Sequence, residues 1–443
     1  MSWPAYAEYV DSGVDRLGLL PRTWQAVSLQ RLFRIVGGAT PKSDVAAFWD
    51  GDITWVTPAD LGKTNSLSVY ESGRTITSAG IDACAAEQLP AGSIVLSVRA
   101  PIGTVGIAEV PMATNQGCKG LVGESIDSKF VAYQLSVSQS ALEAVGRGTT
   151  FTELSATDLG AFKVAVPPIQ EQTAVAGFLD RETAKIDALI AKQEQLIATL
   201  REDRAATITQ AVTKGLDPNT EMKDSGVAWL GDVPAHWTPG RLKHVVASIS
   251  SGTSVNAADV PAGPDEIGVL KTSCVSAGWF NPEANKTVTS DEMPRVSCPI
   301  VEETLLVNRA NTPALVGSAG YVKETRPNLY LSDKLWQVMF EDAAAEFVYY
   351  WTGTAVYRSQ IAANCVGASS SMQNLSMTDF QNTAIALPPV EEQKSIVEFL
   401  NTRCTKIDAL ITRSIEVIAT LREYRSALIT DAVTGKIDVR GVA

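Results

Sequence analysis

A chain of 443 residues is too long for a single hydrophobic core and is expected to hold two or more domains. Its 45% hydrophobic and 19% charged residues exclude a disordered or fibrous chain and describe an ordinary globular protein. The net charge of −12 excludes a broad basic field of the kind that binds nucleic acid without regard to sequence.

Charge does not segregate along the chain. Residues 1–165 carry 12 basic and 16 acidic groups, and residues 218–386 carry 11 and 17. Any DNA contact must therefore rest on local clusters, or on basic surface that a partner supplies. Six cysteines stand far apart without a CxxC pair, beside only two histidines. That spacing predicts neither a zinc site nor a disulfide framework, and a reducing cytoplasm is the expected compartment.

The chain opens Met-Ser-Trp-Pro-Ala-Tyr, with no basic stretch and no apolar stretch of a secretory signal. No apolar run reaches bilayer-spanning length, so no membrane association is expected. Ser12-Gly13-Val14, Leu17-Gly18, Pro21 and Trp24 then form a set of anchors that recurs further along the chain. The run Ser93–Val98 reads as a strand and Phe130–Ala144 as a helix. From Val166 the pattern changes. Pro167-Pro168 bars a helix through itself, Glu171 and Gln172 suit a first helical turn, and apolar residues follow at helical spacing. They are Val175, Phe178/Leu179, Ile186, Leu189/Ile190, Leu196/Ile197, Leu200, Ile208 and Val212, with Leu179, Ile186, Gln193 and Leu200 in one heptad register. The same anchors recur at Ser225-Gly226-Val227, Leu230-Gly231, Pro234 and Trp237. Thr304–Val307 reads as a strand and Ala345–Gln360 as a helix. Leu387–Asp438 then repeats Val166–Asp217 without a gap, about half its positions identical, KIDALI and IATLRE among them. Leu400, Ile407, Ser414, Leu421 and Leu428 hold the heptad places of the second copy.

The duplication sets the organisation. Two diverged domains, 1–165 and 218–386, each precede a near-copy of one helical segment, 166–217 and 387–443. The fold class is α+β: two compact α/β domains joined by two long helices, each about 60 Å at ~1.5 Å per residue, paired antiparallel as a coiled coil in a pseudo-twofold arrangement. Drift alone would not spare one segment and erase its neighbour.

Active-site patterns are missing. Gly62-Lys63-Thr64 resembles the end of a phosphate loop, but Thr57 stands where its first glycine belongs. The only Pro-Pro pairs follow Val166 and Leu387, not the Asn or Asp of an amino-methyltransferase loop. Glu221-Met222-Lys223 has a nuclease-like spacing but reads as an exposed linker. His236 and His244 lie near a strand start, where roles in the fold or at the surface are expected.

Taken together, Leu154-Ser155, Asp158, Pro167-Pro168, Glu171-Gln172, Phe178-Leu179, Lys185-Ile186-Asp187 and Leu200-Arg201-Glu202, with their copies from Leu375 to Glu423, resemble the specificity subunits of type I restriction-modification systems. Ser97–Gly103 and Thr114–Gly117 in the first domain, and Val307–Pro313 with Leu331–Leu335 in the second, are similar to landmarks of that family. The resemblance covers essentially the whole chain. It implies two target-recognition domains, each reading half of a split, asymmetric site in double-stranded DNA. It implies that the helices act as a ruler and as the dock for two modification subunits, which bind S-adenosylmethionine and methylate adenine. Restriction subunits would add ATP- and Mg-dependent translocation and cleavage. The chain itself would be non-catalytic, with no cofactor and no metal.

Arg and Lys favour guanine edges or phosphates, and Asn favours adenine. On that chemistry the candidate DNA contacts are Lys63, Arg99, Lys119 and Arg147 in the first domain, and Lys271, Asn308, Arg309 and Lys334 in the second. The polar loops Gly148-Thr149-Thr150 and Ser369-Ser370-Ser371 could approach bases or be plain turns. Leu179, Ile186, Leu200, Leu400, Ile407 and Leu421 are the expected helix-seam and partner residues. Two alternatives stay open at this point: a coiled-coil scaffold carrying two protein-binding domains, which the acidic charge favours, and an enzyme with an unfamiliar active site.

Overall fold

In a computed structural model, residues 3–63, 66–146, 153–324, 326–369 and 372–441 are described. The chain forms two compact units, Met1–Glu194 with Ile415–Ala443, and Gln195–Ser414. Each long helix contributes part of its length to each unit. The central helix runs Ile169–Lys214, 46 residues, and the distal helix Val390–Val433, 44 residues.

In the first unit a five-stranded sheet has the order Arg34–Gly37, Cys118–Val122, Ile94–Ser97, Val105–Ala108, Ser68–Val69, antiparallel except for the last pair. Trp49–Val56 pairs with Met112–Thr114 and Thr75–Ile76 beside it. In the second unit the order is Val246–Ser251, Leu335–Phe340, Thr304–Asn308, Ala319–Val322, all antiparallel. The four strands correspond one to one, so the two diverged sequences keep one topology. Central strands are apolar on both faces: Ile94, Val95 and Leu96, like Leu305, Leu306 and Val307, have no exposed surface, as strands covered on both sides require.

The two expected helices of the domains are each broken. Ser128–Ser136 and Gln139–Val145 replace the single run at 130–144, and Ala345–Thr352 and Ala355–Asn364 replace that at 345–360. Gly353 ends one helix, and the Thr354 hydroxyl caps the next by accepting from the Tyr357 amide. Glu221-Met222-Lys223 is also more than a linker. Met222–Asp224 pairs with Asp232–Pro234 in a hairpin whose first strand is exposed and whose second buries Val233 and Pro234, the counterpart of Tyr9–Asp11 with Leu19–Pro21.

Within each unit the two long helices run antiparallel, and charged pairs record the register. In the first, Arg425 Nε and Nη2 donate to Asp187 Oδ1 and Oδ2 at 2.9 and 3.2 Å. In the second, Arg204 Nε lies 3.0 Å from Asp408 Oδ1. Asp408 is the copy of Asp187 and Arg425 the copy of Arg204, so one pairing is made twice, each helix supplying the acid once and the base once. Buried seam positions follow coiled-coil spacing: Leu179, Thr183, Ile186 and Ile190 alternate four and three apart in one helix, and Leu400, Cys404 and Ile407 do so in the other, with Ser414 one heptad beyond Ile407. Leu200 and Leu421 are only half-buried. Leu189, Leu196 and Leu410, included in or equivalent to the apolar series, are 49, 43 and 55% exposed; the apolar stripe is wider than the seam.

Glu171-Gln172 and Glu392-Gln393 lock the helix starts to their units. Trp24 Nε1 donates to Glu171 Oε1 and Trp237 Nε1 to Glu392 Oε1, both at 3.1 Å. Tyr6 Oη also donates to Glu171 Oε1 at 2.5 Å, and His236 Nε2 lies 2.7 Å from the other Glu392 oxygen, Oε2. Burial, then the bond to Glu171, pushes the Tyr6 hydroxyl well above its ordinary range. Gln172 Oε1 accepts from the Asp127 amide and Gln393 Oε1 from that of Ala344. The paired tryptophans and Glu-Gln motifs were visible in both copies; their mutual bonds were not, because they lie more than a hundred residues apart.

Candidate nucleic-acid interface

The ends of corresponding strands carry the candidate contacts. In the first unit Val98 N donates to Gly117 O at 2.8 Å and Leu154 N to Val98 O at 2.9 Å. That places the residues after strand Ile94–Ser97 beside the turn at 115–117. Arg99 sits there, exposed, its Nε donating to Glu153 Oε2 at 3.0 Å. Lys119 lies two residues past the turn, half-buried, with Gly37 and Leu96 as its strand partners. Lys63 follows the short helix Pro58–Leu61, whose Pro58 packs against Gly117. It reaches Asp60 Oδ1 at 3.3 Å. Burial works to raise the Asp60 carboxyl, but bonds from Thr57, the Gly73 amide and Lys63 outweigh it and hold that carboxyl low. Arg147 and the loop Gly148-Thr149-Thr150 lie outside the described residues, as do Ser370 and Ser371.

In the second unit Arg309 N donates to Lys334 O at 3.0 Å, and Arg309 Nε to Asp333 O at 2.7 Å. Lys334 is exposed. Lys271 precedes the short helix Thr272–Val275 and pairs with Asp259 at 2.5 Å. Its hydrogen bond and charge hold that carboxyl below the usual range. The four residues singled out in this unit therefore gather at one end of its sheet.

Asn308 must be withdrawn as a base contact. It has no exposed surface; its Oδ1 accepts from Ala310 N at 3.3 Å, and its Nδ2 lies 3.5 Å from Thr272 O. It occupies the place of Ser97, equally buried, whose hydroxyl bonds Pro101 O and the Thr104 amide. Both are polar posts that tie the following loop to the strand, because a buried chain end needs its polar groups satisfied. Arg309 also spends part of its guanidinium on the fold.

Glycines hold this framework tight. A Cβ on Gly38 would lie 1.9 Å from Asn115 O, and one on Gly252 would lie 1.7 Å from Leu331 O. Gly38→Ala and Gly252→Ala should each cost about 2–3 kcal/mol, the upper range for overpacking, seen as a lower urea midpoint for the full chain. An unchanged midpoint would show that the strands can part freely here.

Among the described residues, no three His, Cys, Asp or Glu side chains converge where they could hold a metal ion. No helix among them is long and apolar enough to cross a membrane.

Comparison with known proteins agrees with this architecture. The profile of the type I restriction modification DNA specificity domain matches twice, at residues 21–198 and 234–419. The chain is 31% identical over 166 residues to the type I restriction enzyme MjaIX specificity subunit of Methanocaldococcus jannaschii, covering 37% of this chain and 38% of that protein. It is 24% identical over 323 residues to the EcoKI specificity subunit of Escherichia coli, covering 70% of this chain and 66% of that one. The chain thus spans about two fifths of the first relative's length and about two thirds of the second's. Its fold matches a chain from a structure of type I R-M complex assembly and conformational transition, with TM-score 0.69 at 14% identity, covering 94% of this chain and 99% of the other. It also matches the HsdS subunit from Thermoanaerobacter tengcongensis, with TM-score 0.52 at 16% identity over 94% and 98%. With both halves of the duplication matched separately, at the same place in each copy, the chain belongs to the type I restriction-modification DNA specificity family.

Proposed function

We propose that this chain is the sequence-reading subunit of a type I restriction-modification complex. Each diverged domain reads one half of a split, asymmetric site in double-stranded DNA. Two modification subunits dock through the duplicated helices and bring S-adenosylmethionine and adenine methylation. Restriction subunits bring ATP- and Mg-dependent cleavage. The reading places the protein in the cytoplasm. The domains are those bounded at 1–165 and 218–386, with helical spacers at 166–217 and 387–443. Arg99, Lys119 and Lys63 in the first domain, and Lys271, Arg309 and Lys334 in the second, remain the proposed contacts; Arg147 stays with them on sequence grounds.

One observation carries the reading: a single sheet topology appears twice with unlike residues at its exposed turns, while the helices repeat down to the Asp187–Arg425 and Asp408–Arg204 pairs. Different half-sites require different turns, and two identical partners require one repeated helix surface. The acidic net charge is tolerable where partner subunits help to enclose the phosphates.

The test is reconstitution. The isolated chain is expected to transfer no methyl groups, and the chain with its modification subunit to methylate adenine within one bipartite motif. Methyl transfer by the chain alone near the rate of the complex would overturn the reading. So would a complex that assembles but ignores DNA sequence, as a protein-binding scaffold would.

A further inference from the structure

Each unit enters the second strand of its sheet through the same tight turn. In the first unit it is Asn115-Gln116-Gly117, closed by Cys118 N donating to Asn115 O at 3.0 Å and braced by Gly117 N donating to Asn115 Oδ1 at 2.9 Å. In the second it is Ser332-Asp333-Lys334, closed by Leu335 N donating to Ser332 O at 3.2 Å. Gly38 presses against Asn115, which opens the first turn, and Gly252 against Leu331, which precedes the second, with no room for a Cβ at either. Both turns are tied sideways to the neighbouring strand through Val98 and Arg309.

The backbone is thus held alike, and the presented side chain is what differs. Gln116 is exposed between buried Thr114 and Gly117, and the Thr40 hydroxyl steadies its amide oxygen. In the second unit Asp333 is half-buried, its carbonyl accepting from Arg309 and Ser251, and Lys334 is the exposed residue. A rigid turn that offers an amide in one copy and an ammonium in the other suits two readers of different sequences.

We propose that these turns are base-reading elements, Gln116 binding the major-groove edge of an adenine and Lys334 that of a guanine. The inference rests on the DNA-reading function proposed above. An amide pairs one donor and one acceptor with adenine N7 and N6, whereas an ammonium has only donors and matches guanine O6 and N7.

The experiment is motif sequencing of DNA methylated by the full complex carrying Gln116→Ala, Gln116→Glu or Lys334→Ala. Gln116→Ala should relax discrimination at one adenine position about 10- to 100-fold and leave the other half-motif intact. Lys334→Ala should do the same at a guanine of the other half. Gln116→Glu preserves the size of the side chain and should shift preference at its position toward cytosine; it decides the matter if Gln116→Ala fails to assemble. Assembled, active variants whose discrimination stays within about twofold of the parent's would overturn the assignment and leave DNA reading intact. A parent complex without sequence preference would overturn the reading itself. Uniform weakening on all sequences by Lys334→Ala, with a shallower salt dependence, would make that residue a phosphate contact and overturn its half of the proposal.

Discussion

A chain carrying Ile186→Asp and Ile407→Asp is expected to lose its folded helices or its partners, while any complex that survives keeps its target sequence. Ile186 is 5% exposed in the first unit and Ile407 2% in the second. They are the same position in the two copies of the repeat. An unpaired carboxylate at either would be buried among apolar seam residues, at about 3–5 kcal/mol each by analogy with broken buried pairs. Against a total stability of about 5–15 kcal/mol, two such charges are enough to unfold the scaffold. Leu189→Asp supplies the control. It lies three residues from Ile186 on the same helix but is half exposed, so its carboxylate stays hydrated and the urea midpoint should move by less than about 0.5 kcal/mol equivalent. Helicity, urea unfolding and co-purification with the modification subunit report assembly; methylation motifs report target choice. A changed motif with normal assembly would contradict the division of roles between helices and domains.

The duplicated helical scaffold was legible because one segment repeats within a single sequence. KIDALI and IATLRE stand out at once, and two matching apolar seams make antiparallel pairing the expectation. What periodicity could not resolve was which edge of the stripe is buried. Leu189 and Ile190 both fit the helical spacing, yet Ile190 is 8% and Leu189 49% exposed. The deciding information is the register against the other helix, fixed by residues such as Arg425 more than two hundred positions away.

The recognition end was less legible for a different reason. Residue type alone suggested Asn308, and chemistry that would suit adenine serves instead to satisfy a buried strand end. Aligning Arg99-Ala100 with Arg309-Ala310 by eye also misleads by one place. Backbone bonds equate Val98 with Arg309, since both donate to the turn and both accept from the leucine of the Leu-Ser motif, Leu154 or Leu375. Gln116, exposed on that turn, lies within the family landmark Thr114–Gly117, but nothing in the sequence sets it apart from its neighbours there.

A chain ending at Asp217 is expected to dimerise and, with modification subunits, to methylate a palindrome built from the first half-site. The duplicated interface is the reason. The central Asp–Arg contact joins a residue of one helix to the copy of its complement in the other, so one helix contains both sides; Arg403, which bonds Asp203, instead aligns with Glu182, and that pair is not kept. Asp187 pairs with Arg425, the copy of Arg204, and two truncated chains can make the Asp187–Arg204 pair twice. Ile186, Ile190, Ile197 and Ile208, all at least nine-tenths buried, supply the apolar stripe on both sides. The ends of the helix should also match. In the first unit Asp438 N donates to Pro4 O at 2.7 Å and Tyr9 Oη to Gly435 O at 3.0 Å, while Gln134 Nε2 reaches Val433 O at 2.9 Å. Val212, Lys214 and Asp217 align with Val433, Gly435 and Asp438 at the end of the central helix, which is why the cut belongs beyond Asp217. Past the helix end a brace is also lost: Arg440, which lies over the Tyr6 ring 4.9 Å from its centroid and bonds Asp438, aligns with Asn219. The half-length dimer should therefore be less stable than the parent, by about 1–2 kcal/mol if the cation–π contact and the charged hydrogen bond are lost. Light scattering gives the oligomeric state, and single-molecule sequencing of treated DNA gives the motif, whose spacing should stay close to the parent's because the same helices set it. A truncated dimer that recruits its partners yet still modifies the original asymmetric site would show that the domains do not read one half-site each.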